Sequence, residues 1–241
     1  MWISGFAVGI ALATQAAAPV APETARWPDS RPLTHLFQNL ASDIRHLPSI
    51  PSFQMLAAGS AGALAARAGD HETAGWAAAA GPSSYTRMGD LLGVGALQGG
   101  AAVATYAIGK LVHRPAITHV GGDLIRAQVL TALLTQSLKY GVGRTRPNGG
   151  SRSFPSGHTS ATFASATVLG QHFGWKVAVP AYATAAFVGW SRIRDEEHYP
   201  SDVVFGATLG LVVGTTVTRG HREWTVVPVR TTGGFAVYVV R

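Results

Sequence analysis

The densest cluster of reactive side chains is Ser191-Arg192-Ile193-Arg194-Asp195-Glu196-Glu197-His198-Tyr199-Pro200-Ser201-Asp202, set between two apolar stretches. Pro200 disfavours a helical Tyr199 but suits the first turn of a helix continuing through 203–218. His198 is therefore expected just ahead of a helix N-terminus, with Asp202 in its first turn. That end presents unpaired N–H groups and positive dipole to anions. A carboxylate near an imidazole fixes its tautomer and leaves the other ring nitrogen free to attack an electrophile. Taken alone, the run fits a surface loop capped by Asp202 equally well.

Two earlier stretches shift that balance. Lys139-Tyr140-Gly141-Val142-Gly143-Arg144-Thr145-Arg146-Pro147 follows an apolar helical run and supplies three cations around flexible glycines. Ser153-Phe154-Pro155-Ser156-Gly157-His158-Thr159-Ser160 then reads as a loop feeding a second helix N-terminus. Its small residues let backbone N–H groups approach a ligand. Cations, backbone donors, two histidines and a carboxylate together suit displacement at phosphorus.

These blocks resemble the signature of the type 2 phosphatidic acid phosphatases, a superfamily shared with vanadium haloperoxidases and bacterial acid phosphatases. Lys139 with Arg146-Pro147, then Pro155-Ser156-Gly157-His158, then Ser191-Arg192 with His198 and Asp202 match it in order, from 139 to 202. The resemblance implies an all-α helical bundle with the site built from helix ends. It implies His198 as a nucleophile forming a phosphohistidine, oriented by Asp202, and His158 as the group that protonates the leaving alkoxide and later activates water. Lys139, Arg146 and Arg192, with Ser156 and the N–H of Gly157, would hold the phosphoryl oxygens. Three fixed cations neutralise charge on those oxygens without a metal, so neither metal nor cofactor is expected. Arg144, Arg152 and Arg194 are assigned to supporting or surface positions, and Asp195, Glu196 and Glu197 to solvent.

The implied reaction is metal-independent hydrolysis of phosphomonoesters, with lipid phosphates or diphosphates as the leading substrates. A vanadate-dependent haloperoxidase on the same scaffold and a non-catalytic binding protein are the alternatives. The chain's compactness, 241 residues with no further recognisable domain, favours the phosphatase.

Composition agrees with an anionic ligand. The net charge is +7, 47% of residues are hydrophobic and 13% are charged, with a mean hydropathy of +0.19. Such a balance favours phosphate esters or an anionic membrane surface. The cations form no Lys-rich tract or aromatic-basic alternation, which argues against nucleic acid. Without cysteine there is no thiol catalysis and no thiolate metal site.

Four segments must position these residues. Residues 1–18 read as a signal peptide, with an apolar stretch and small residues at 16–18, although no Lys or Arg precedes them. Export to the periplasm or extracytoplasmic face follows, in a soluble or membrane-associated state, with an integral membrane protein as the alternative. Residues 19–52 form a Pro-rich linker and an amphipathic helix carrying Leu36, Phe37, Leu40, Ile44 and Leu47. Residues 53–220 form the phosphatase-like domain. Within it, 69–72 is expected as a solvated turn, 91–109 as a helix about long enough to span a bilayer or, with its Gln98-Gly99-Gly100 break and small residues, to pack in the interior, and 112–123 as a Pro/Gly-containing connection. His113, His119 and Asp123 match no ligand spacing, and His172 is assigned to packing or a helix end. Residues 221–241 form a small β-hairpin around Thr231-Thr232-Gly233-Gly234.

Overall fold

The computed structural model describes residues 33–81, 84–219, 225–231 and 234–240. The signal peptide at 1–18, the linker at 19–32 and the centre of the hairpin turn at 232–233 lie outside them. Nine helices appear among the described residues: α1 (Leu33–His46), α2 (Ile50–Arg67), α3 (Asp70–Ala80), α4 (Thr86–Gly93), α5 (Gly95–Leu111), α6 (Pro115–Val142), α7 (Gly157–Phe173), α8 (Trp175–Arg194) and α9 (Pro200–Arg219). The all-α bundle is thus present. Strands β1 (Thr225–Thr231) and β2 (Gly234–Val240) pair antiparallel, with Thr225 opposite Val240 and Thr231 opposite Gly234.

Two elements differ from expectation. The 112–123 connection is largely helix, because Pro115 sits in the first turn of α6, where its missing N–H and fixed φ cost nothing. The helix then runs 28 residues to a left-handed cap at Gly143, φ 62°, the position that favours glycine. The expected helix at 91–109 is divided at Val94 into α4 and α5, bent by 54°. Helix α9 is long and apolar enough to cross a membrane, and 72% of its most apolar window is buried against the rest of the protein.

The core joins α5, α6, α7 and α9 through Ala102, Val120, Leu124, Ala127, Leu130, Ala164, Val168, Val213 and Val217. Small side chains there mean short distances between helix axes. On α9, Gly206, Gly210 and Gly214 recur every four residues and so share one face. A Cβ on Gly206 would lie 2.7 Å from the Ser156 carbonyl oxygen, and one on Gly210 would run into the Ser160 carbonyl. At Gly214 it would meet Thr167 Cβ at 2.5 Å. Backbone therefore packs on backbone between α7 and α9. This contact sets the position of the α7 N-terminus against the first turn of α9.

Candidate functional site

The chain's up-and-down course brings the C-terminal ends of α6 and α8 to the same end of the bundle as the N-terminal ends of α7 and α9. Lys139 comes from the last turn of α6, and His158 from the first turn of α7. Arg192 comes from the last turn of α8, and Asp202 from the first turn of α9. Arg146 lies on the α6–α7 loop and His198 on the α8–α9 loop. Backbone bonds tie these loops together: Asn148 N–H donates to Glu196 O at 3.1 Å, and Ser156 N–H to Asp202 O at 3.0 Å.

His198 is 3% exposed. Burial, followed by the nearby Lys139 and Arg146 charges, outweighs Asp202 and lowers its pKa to about 4. The imidazole is then neutral and nucleophilic over most of the accessible pH range. Its Nδ1 faces Asp202 Oδ2 at 3.8 Å, beyond direct hydrogen-bond reach. Ser153 Oγ lies 3.5 Å from the same Nδ1 and donates a short bond to Asp202 Oδ2. Asp202 thus faces His198 with the Ser153 hydroxyl beside both, which leaves Nε2 as the nitrogen open to an electrophile.

Asp202 is fully buried. Desolvation pushes its pKa up, but the His198 and Ser153 side chains, the Tyr199 N–H and the Arg144 charge outweigh it and hold the carboxyl below its ordinary value. Arg144 donates to Asp202 Oδ1 and to Ser201 Oγ, both at 2.7 Å. Its other nitrogen reaches Asp70 Oδ2 at 2.7 Å, and its guanidinium lies 4.0 Å over the Tyr199 ring.

One sequence reading changes here. Asp70 belongs to no solvated turn: it is 1% exposed and accepts from the Ser201 N–H at 3.1 Å and the Ser201 hydroxyl at 2.6 Å. Of the two positions expected for Arg144, supporting or surface, it takes the supporting one, because Asp70 and Asp202 grip it from both sides. The sequence signal for Arg144 was its place between Lys139 and Arg146. Asp70, far away in the chain, carried none.

Lys139, Arg146 and Arg192 lie near one another. Lys139 Nζ donates to Arg152 O at 2.7 Å. Burial first, then Arg146 and Arg152, lower its pKa to about 8, against the opposing Asp202 charge. Lys139 and Arg146 line a cavity of about 520 Å³ with Gln136, Tyr140 and Arg152. Arg146 pairs with Glu197, whose second contact is Arg192 Nη2 at 3.6 Å. Glu197 is therefore an anchor for two arginines rather than a solvated bystander. Ser156 is fully buried, and its Oγ lies 2.9 Å from Thr159 Oγ1. That inward turn makes it a brace for the loop, while Gly157 begins α7.

Sequence reading also missed Asp90 on α4. Its Oδ1 accepts from Arg192 Nη1 at 2.6 Å and lies 3.1 Å from His158 Nε2. The His158 approach is misaligned, so that buried nitrogen makes no hydrogen bond among the described residues; neither does Arg192 Nε. Buried polar groups are ordinarily satisfied, so these two nitrogens, both on residues that meet Asp90 Oδ1, are available to an oxygen ligand. Burial and Arg192 lower the His158 pKa, with Asp90 opposing them.

The profile of the PAP2 superfamily matches residues 148–225, which contain the Pro-Ser-Gly-His block and the His198–Asp202 block. A lipid A 1-phosphatase from Porphyromonas gingivalis is 44% identical over 80 residues, 32% of this chain and 18% of that protein. Lipid phosphate phosphatase 1 from Arabidopsis thaliana is 29% identical over 139 residues, 40% of this chain and 42% of that protein. The chain spans less than half the length of the curated relatives it matches. Among solved structures, Aquifex aeolicus LpxE is similar with a TM-score of 0.46 and 25% identity, over 56% of this chain and 84% of that one.

Proposed function

We propose that this chain, which carries a PAP2-superfamily segment at 148–225, is a metal-independent phosphatase acting on lipid phosphates or diphosphates through a phosphohistidine. The observation that supports it most is the placing of Lys139 and Arg146 beside buried His198, which is backed by Asp202, with Arg192 next to Arg146 and His158. In the reaction, the His198 Nε2 lone pair attacks phosphorus in line with the ester oxygen. The P–O bond breaks, and the leaving alkoxide takes a proton from the His158 imidazolium. Water then gives its proton to neutral His158 and attacks the phosphohistidine. The P–N bond breaks, releasing inorganic phosphate and neutral His198. The three cations and the α7 N-terminus stabilise charge on the equatorial oxygens throughout.

Exposed apolar side chains beside these cations support a lipid substrate. Met88, Leu91, Tyr140 and Val142 are all exposed on α4 and the C-terminal end of α6, where an acyl or prenyl chain would lie. Relatives named for lipid A and lipid phosphate hydrolysis support the same class. An extracytoplasmic location is part of the reading. N-terminal sequencing of the mature protein should begin shortly after Ala18, and an intact Met1 would remove the signal-peptide assignment.

The deciding experiment is a panel of lipid and soluble phosphates assayed with purified protein in EDTA, with vanadate as inhibitor. Vanadate resembles five-coordinate phosphorus and should inhibit, and activity should survive chelation. Activity lost in EDTA and restored by a divalent ion would reject the mechanism. Halide oxidation dependent on vanadate and peroxide would replace it with the haloperoxidase.

The pH profile is a sharper check. His198 must be neutral to attack, so kcat/KM should rise through about pH 4 as its lowered pKa is passed. His158 must be protonated to act as acid, and its pKa lies below the ordinary 6.5. Activity on alkyl esters should therefore fall before neutrality. In His158→Ala with an aryl ester that fall should vanish, exposing a later one near pH 8 as Lys139 loses its charge. Lys139→Arg should move the later fall upward. A wild-type alkyl-ester profile rising through pH 7 would overturn the assigned protonation states.

A further inference from the structure

At the opposite end of α6 and α7, the fold assembles a second cluster of chemically able side chains. His119 and Asp123 are one turn apart on α6, and His172 lies in the last turn of α7. Asp123 Oδ2 is 2.8 Å from His172 Nε2 and 3.7 Å from His119 Nε2. One nitrogen or oxygen from each of the three residues lies within 4.8 Å of the other two. The imidazole rings stand at 82° with centroids 5.5 Å apart.

We propose that His119, Asp123 and His172 form a transition-metal site that takes Zn²⁺, separate from the phosphate site and independent of the phosphatase reading. Two imidazole nitrogens and one carboxylate oxygen are a donor set suited to zinc, with water completing a tetrahedron. They are poorly suited to Mg²⁺ or Ca²⁺, which take oxygen ligands. Tetrahedral bonds of about 2.0–2.1 Å separate ligand atoms by roughly 3.3–3.4 Å. The observed 2.8 and 3.7 Å to Asp123 bracket that spacing, and the two imidazoles, within 4.8 Å of each other, close on an ion by ring rotation.

The surroundings are those of a supported site. Asp123 is 2% exposed, and its other oxygen, Oδ1, accepts from Arg126 Nη2. Arg126 also donates to Asp43 on α1 and to the Val217 carbonyl on α9, at 3.2 Å to the latter. Such outer contacts fix a ligand's orientation and tune the metal. His119 is partly exposed, with 18% of its side-chain surface open, giving an ion a way in. Lys139 lies sixteen residues further along α6, about 24 Å from Asp123. The ion therefore takes no part in phosphoryl transfer. It clamps α6 to α7 and, through Arg126, steadies α1 and α9.

The test uses the untagged full chain, stripped with chelator, desalted and titrated with ZnCl₂ by calorimetry and by thermal unfolding. The wild type should bind about one equivalent with micromolar or tighter affinity. At about 100 times Kd its Tm should rise by about 5–11 °C. His172→Ala and His119→Ala should each weaken binding about 10-fold or more and lose most of the rise, while retaining wild-type far-ultraviolet circular dichroism. Should His172→Ala fail to fold, His119→Ala on the more exposed ring supplies the same reading. Absence of zinc binding up to tens of micromolar would overturn the site. So would zinc binding that both variants leave unchanged, since the ion would then sit on other histidines.

Discussion

His198→Asn should leave a folded protein with no measurable turnover of any phosphate ester, a loss on the order of 10⁴-fold or more. Asparagine is smaller than histidine but polar, so the buried position opposite Ser153 and Asp202 stays tolerable. Its amide nitrogen has no lone pair available for attack. Residual rate would come from phosphate binding and water alone, as when a nucleophile is removed from an otherwise intact site. Two readings accompany the rate. Wild-type protein mixed with substrate and quenched in alkali should retain phosphate covalently, and the variant should not. Vanadate should still bind the variant, since Lys139, Arg146 and Arg192 remain. Turnover within a few-fold of wild type would remove His198 as nucleophile.

The second large effect divides the labour between the histidines. His158→Ala should slow phosphoenzyme formation by about 10²–10⁴-fold with alkyl or lipid esters, whose alkoxide needs a proton as it departs. Aryl esters, with a better leaving group, should suffer far less in that step. Hydrolysis of the phosphohistidine should slow for both, because the same imidazole activates water. Single-turnover measurement is required, since slow dephosphorylation would hide the contrast in the steady state. Equal slowing for both ester classes would contradict the acid role. Asp90→Asn adds an independent reading: Asp90 raises the His158 pKa, so its removal should shift the alkyl-ester fall to lower pH. Asp90 also holds Arg192, so KM should change as well, whereas the direction of the pH shift reports on His158 alone.

Much of this arrangement is written in local sequence. Pro200 and Asp202 announce a helix start, and α9 begins at Pro200. The small residues before His158 likewise announce α7. Helix ends obey short-range rules, and a site built from helix ends inherits that legibility. What escaped depends on contacts distant in the chain. Asp70 looked solvated because its neighbours are polar; its partners, Arg144 and Ser201, lie 74 and 131 residues away. Asp90 and Glu197 likewise gain meaning from the arginines opposite them. The length of α6 is hidden because its start, within 112–123, carries proline and glycine, and Pro115 occupies the first turn, where proline is accepted. His172 gains its role only from the pairing of α6 with α7, which sets it against Asp123.

The glycine face of α9 has a consequence for which positions can vary. Gly210 touches no reacting group, yet it abuts the Ser160 carbonyl one turn into the helix that carries His158. A larger side chain there has two outlets: spread the helices, or rotate one about the other. Either moves Asp202 relative to Ser156, whose N–H is bonded to the Asp202 carbonyl, and displacements of about 1 Å are enough to lower catalytic rates a hundredfold. In a saturation library, Gly206 and Gly210 should therefore rank beside the histidines among intolerant positions. Many of the inactive variants there would remain soluble and helical, their two half-sites intact but out of alignment.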